Sequence, residues 1–147
     1  HGQGAEAVAQ FYQQWRHERL VIDKWFSLQV TTSPANNAVA VAVNLLKHPD
    51  FNLKNPNRFR ALIGALAMTP AAFHQADGSA YRLVADQLIA LDDINPQLCA
   101  RMTTVFETWR RYDGARQALM RVALNRLAAK PNLSRDTKEM VTRLLDA

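Results

Sequence analysis

Apolar residues recur along this chain with a helical period. Ala5, Val8, Ala9, Tyr12 and Trp15 fall at three- and four-residue steps, which places them on one helical face. Leu20, Val21, Trp25 and Leu28 do the same in the next segment. A short polar residue followed by proline then recurs, as Ser33-Pro34, Asn55-Pro56, Thr69-Pro70 and Asn95-Pro96. The polar side chain can accept a bond from a free helix amide, and proline at the first helical position loses nothing, so each pair predicts a helix start. His48-Pro49 predicts a stop after Lys47. Asp77-Gly78-Ser79 reads as a turn with Ser79 as the next cap, and Ser134 as the cap of a last helix.

These signals predict helices over 5–16, 19–31, 35–47, 56–67, 70–75, 79–92, 96–111, 113–129 and 134–145. Positions 38–43 alternate alanine with valine, which favours a strand. The same residues are apolar all round, which fits a buried helix, and no other segment offers a partner strand. The connections are short, so successive helices should pack antiparallel. Asn55 and Asn95 lie 40 residues apart, near the roughly 40–47-residue period of HEAT and armadillo repeats. The expected fold is all-α, with antiparallel helix pairs stacked as an α-solenoid over one domain, 1–147.

Composition narrows the class. At 48% hydrophobic and 21% charged, the chain reads as soluble and globular. The uncharged run from Trp25 to Leu46 holds six polar or proline residues in its middle, so it does not predict a membrane span. Cys99 is the only cysteine, which excludes an internal disulfide and agrees with a reducing compartment. The chain starts at His1 with no charged leader and apolar stretch, which points to an excised or processed piece.

The net charge of +5 raises nucleic acid as a partner. Arg116, Arg121 and Arg126 are spaced by five, so they spiral round a helix and form no stripe. Acidic residues are interspersed, and a solvated mixed-charge surface is the expectation.

Catalytic chemistry finds no complete set. His17-Glu18 opens like H-E-x-x-H, but Val21 stands where the second histidine is needed. His74, before the Asp77-Gly78 turn, reads as a capping or packing residue. Asp92 and Asp93 point about 100° apart on a helix and read as a solvated terminus. No nucleophile elbow and no phosphate loop is present.

Three stretches carry a resemblance. They are Glu18 to Gln29; Asn55-Pro56-Asn57-Arg58-Phe59-Arg60 to Gly64 with Pro70 to His74 and Asp77-Gly78-Ser79; and Asn95-Pro96-Gln97 through Arg101 to Asp113. In order and spacing they resemble the C-terminal end of the bacterial aminopeptidase N family, the zincin-type aminopeptidases. The resemblance implies an armadillo-like superhelix that caps the active-site chamber of a cytoplasmic metallopeptidase. It implies that zinc, its ligands and the bond chemistry belong to a catalytic domain of the same polypeptide, with no catalytic or metal-binding residue in this chain. It further implies that Arg60, Gln97 and Arg101 face the leaving side of a peptide substrate. The residues themselves leave an alternative for the two arginines, ordinary ion pairs inside the solenoid. The rival function is a free-standing helical-repeat module that binds a protein or nucleic acid.

Overall fold

The structure, a computed structural model, describes residues 18–146. The segment expected as a helix over 5–16, with His1 and His17, lies outside the described residues.

Every regular element among the described residues is helical. Helix α1 (Arg19–Thr31) leads through a 3₁₀ turn (Ala35–Asn37) into α2 (Ala38–Leu46). A rod follows in three parts: α3 (Pro56–Phe59), a π-turn (Arg60–Gly64) and α4 (Ala65–Ala67). Then come α5 (Pro70–Phe73), α6 (Ser79–Asp92) and α7 (Pro96–Thr103). Two 3₁₀ turns (Thr104–Phe106 and Trp109–Arg111) lead to α8 (Gly114–Ala128) and α9 (Arg135–Asp146). The π-turn packs on α1, α7 on α6, and α9 on both α7 and α8. One apolar core runs through the stack, and its bulkiest enclosed side chains include Phe26, Phe59, Phe73, Tyr81, Phe106 and Trp109. This is the solenoid that the sequence predicts. No helix among the described residues is long and apolar enough to cross a membrane.

The capping residues sort by chemistry. Asn55 Oδ1 accepts from the Arg58 amide at 3.1 Å, and Asn95 Oδ1 from the Leu98 amide at 3.0 Å. Both asparagines are therefore the expected caps. Ser33 and Thr69 are not. Their hydroxyls donate backward, to the Val30 and Ala65 carbonyls, each at 2.8 Å. A hydroxyl can donate as well as accept, and here it closes the helix behind it. Ser79 is not a cap either, because it is the first residue of α6. Asp77 accepts from its amide at 3.0 Å and its hydroxyl at 2.8 Å, and Gly78 turns the chain at φ 71°. A side chain on Gly78 would also meet Leu119 at 3.0 Å. Ser134 Oγ does accept from the Thr137 amide, at 3.3 Å.

Two helices differ from expectation. Helix α2 is helical as read, but it is not buried all round. Its inner face is Ala38, Ala42 and Leu45, while Val43 is exposed. Small alanines let this helix sit close to its neighbours, so the valines point sideways and outward. The helix expected over 96–111 stops at Thr103. Thr103 and Thr104 return their hydroxyls to the Cys99 and Arg101 carbonyls, at 2.8 and 2.6 Å, and such β-branched residues weaken a helix. The break lets the buried Trp109 indole donate to the Leu144 carbonyl at 2.9 Å, which ties the turn to the end of α9.

Candidate functional site

The three residues expected to face substrate are exposed. Arg60 starts the π-turn, and Gln97 and Arg101 lie one turn apart on α7. The wider π-turn shifts the helical register, as such turns do at functional sites. The Ser27 hydroxyl on α1 donates to the Ala61 carbonyl at 2.8 Å and pins that turn from below.

Two grooves meet at Arg101. One, of about 380 Å³, is lined by both Arg60 and Arg101, with Ser27, Gly64, Met68 and Met102 among its other walls. The second, of about 470 Å³, is lined by Gln97 and Arg101 on α7 and by Asp136, Glu139 and Arg143 on α9. The structure thus brings Arg60 to Arg101 and Gln97 to Arg101. It does not put Arg60 and Gln97 on one groove.

Neither guanidinium carries the ion pair that a structural role would give it. Arg60 Nη1 donates to Asn57 Oδ1 at 3.3 Å, and among the described residues no carboxylate lies within 4.0 Å of Arg60 or Arg101. The structural ion pair belongs instead to Arg58, which the sequence reading passed over. Arg58 is buried, donates to Asp23 Oδ1 at 2.5 Å and to the Asp50 carbonyl, and lies over the Phe26 ring at 5.2 Å. Its neighbour Asn55 is a cap, and a residue three places into the first turn faces inward as easily as outward. Only its position beside buried Phe59 hinted at this.

Basic residues of the last third are largely committed. Arg116 donates to the His74 carbonyl at 2.8 Å and pairs with Asp113. Arg110 and Arg121 lie over the Trp109 ring, at 4.3 and 5.1 Å. Arg126 pairs with Asp86 and Lys130 with Asp93.

The side chains with shifted titration in the core are structural. His74 caps α5, stacks on Tyr112 at 3.9 Å and meets the Tyr81 hydroxyl at 2.5 Å. Burial, then the charge of Arg116, lowers its pKa below 6.5. Burial likewise pushes the Tyr81 phenol up to about 12 and the Cys99 thiol to about 11, so neither is a ready nucleophile.

Asp92 corrects the sequence reading. It is 3% exposed, not solvated, and only Asp93 is at the surface. Its carboxylate accepts from the Ser134 amide and hydroxyl, at 2.8 and 2.6 Å, and from the Thr137 hydroxyl at 2.7 Å. Burial raises its pKa, but the Ser134 and Thr137 bonds and nearby Lys130 outweigh burial and hold it below the ordinary value. No group of three or more His, Cys, Asp or Glu side chains that could hold a metal ion occurs among the described residues.

Residues 1–146 match the model of a family described as a domain of unknown function (DUF3458_C) with ARM repeats. The chain is 44% identical over 139 residues to aminopeptidase N of Haemophilus influenzae, covering 94% of the chain and 16% of that protein. It is 44% identical over 142 residues to aminopeptidase N of Escherichia coli, covering 95% of the chain and again 16% of the relative. Among solved structures it is similar to Legionella pneumophila aminopeptidase A in complex with aspartic acid, with a TM-score of 0.92 and 34% identity, over 99% of this chain and 17% of that one.

Proposed function

The chain belongs to the DUF3458_C family of ARM-repeat domains and matches the C-terminal part of bacterial aminopeptidase N, and from this we propose that it works as the closing wall of a larger peptidase. In this reading the parent removes N-terminal residues from peptides in the cytoplasm. The helical stack covers the cleft of a catalytic domain in the same polypeptide, and Arg60, Gln97 and Arg101 meet the leaving side of the peptide. The bond chemistry, and the zinc that the resemblance implies, reside outside this chain.

The observation that carries the reading is the pair of exposed guanidinium groups on one groove without carboxylate partners. A guanidinium exposed to water matches a peptide carboxylate through two parallel hydrogen bonds. A peptide partner fits better than a nucleic acid, because the basic side chains of the last third mostly hold each other's neighbourhood together. The test is a chromogenic aminoacyl amide offered to the chain alone and to the longer polypeptide that contains it. Turnover by the longer polypeptide only is the expected result. Turnover or stoichiometric zinc retained by the chain alone would contradict the division of labour.

A further inference from the structure

A cavity of about 620 Å³ lies between the start of α1 and the loop that leads into α3. It shares no lining residue with either groove at Arg101. Its volume is that of a small-molecule site. The side chains around it offer mainly hydrogen-bond donors. Arg19 and Lys54 are exposed on it, and among the described residues neither carries an ion pair. Three asparagines also line it. Asn52 Oδ1 accepts from the Lys54 amide at 2.9 Å, Asn55 Oδ1 from the Arg58 amide at 3.1 Å, and Asn57 Oδ1 from Arg60 Nη1 at 3.3 Å. Each partner is an N–H group, so each asparagine turns its oxygen to the chain and keeps its amino hydrogens for a ligand. The one carboxylate on the cavity is Asp23, and Arg58 Nε engages it at 2.5 Å.

Arg19, Lys54 and Arg58 against Asp23 leave an excess of two positive charges. A matching ligand accepts hydrogen bonds and carries about two negative charges. A phosphate monoester does both, with a charge of about −1.5 to −2 at neutral pH and three acceptor oxygens. Leu20, 80% exposed on the same cavity, adds an apolar contact that a free inorganic ion could not use. We propose that this cavity binds a small phosphate monoester, with Arg19 and Lys54 on the phosphate, asparagine amides on neighbouring hydroxyls and Leu20 against the carbon skeleton. The site is a binding function separate from the peptide-facing wall and does not rest on it.

The test is a titration of the full 147-residue chain, labelled with ¹⁵N and followed by NMR at fixed ionic strength. The probes are glucose 6-phosphate, inorganic phosphate, glucuronate and glucose. Glucose 6-phosphate is expected to shift the amides of Arg19, Asn52 and Lys54 saturably, and to bind more tightly than inorganic phosphate. Glucuronate keeps the sugar hydroxyls but carries one charge, and it should bind roughly 10-fold more weakly for want of a charge-assisted bond. Glucose should leave these signals in place. Arg19→Gln with Lys54→Gln, at an unchanged unfolding midpoint, should weaken glucose 6-phosphate by at least about 10-fold. No saturable shift with glucose 6-phosphate, equal binding of glucuronate, tighter binding of inorganic phosphate, or affinity that survives the double substitution would each overturn the site.

Discussion

At the seam where α6 meets α9, a carboxylate is sealed from water and every one of its contacts is supplied by the chain. Asp92 accepts from Ser134 and Thr137, and the Lys130 ammonium stands 3.8 Å away with its own side chain nearly covered. In the groove between the π-turn and α7 the opposite holds. Arg60 and Arg101 are exposed, and no carboxylate among the described residues lies within 4.0 Å of either guanidinium. The contrast is sharpest over two residues of one rod, where Arg58 is buried on Asp23 and Arg60 faces the groove. Charges that fold the protein are satisfied inside it. Charges left open at the groove are available to a ligand.

If that division is right, substitutions at the seam should cost stability and substitutions at the groove should not. The largest effect is expected from Asp92→Ala, which strands the Ser134 and Thr137 donors in a closed space while Lys130 keeps its nearer partner Asp93. It should cost about 3–5 kcal/mol in urea unfolding, as for other broken buried charge networks. Asn55→Ala and Asn95→Ala should each cost about 1 kcal/mol, the ordinary worth of a helix cap, whereas Thr69→Ala removes no cap and should cost less.

A smaller effect concerns pH. His74 has its folded pKa below 6.5, so the unfolded chain binds the proton more readily. Its contribution to stability is present above pH 6.5 and is lost as pH falls through that value. The urea midpoint should drop between pH 7.5 and 5.5, and His74→Gln should flatten that drop. The smallest effect is expected for Arg60→Gln and Arg101→Gln, each within about 0.5 kcal/mol of the parent. A large loss from either would mean that the groove arginines are structural after all.

Much of the fold was legible because helical period and asparagine caps are local. The α1 span Arg19–Thr31 and the α6 span Ser79–Asp92 agree with the pattern of apolar positions and turn residues. What the pattern could not show was long-range. Nothing local marks Asp92 as buried and Asp93 as exposed, since that depends on Ser134 and Thr137 arriving from more than 40 residues away. The break after Thr103 is a choice between helix and hydroxyl back-bonding, settled by what Trp109 gains at Leu144. At the groove, the four-residue spacing of Gln97 and Arg101 was readable, but the approach of Arg60 through a π-turn held by Ser27 was not.

Steady-state kinetics of the longer polypeptide carrying Arg60→Gln and Arg101→Gln together test the peptide-facing wall most directly. The substrates are a tripeptide with a free C-terminal carboxylate and the same tripeptide as its amide. The KM for the free acid should rise at least about 10-fold, the worth of one charge-assisted bond, with the amide little changed and the unfolding midpoint intact. Equal KM values before and after the substitutions, or equal losses on acid and amide, would contradict it.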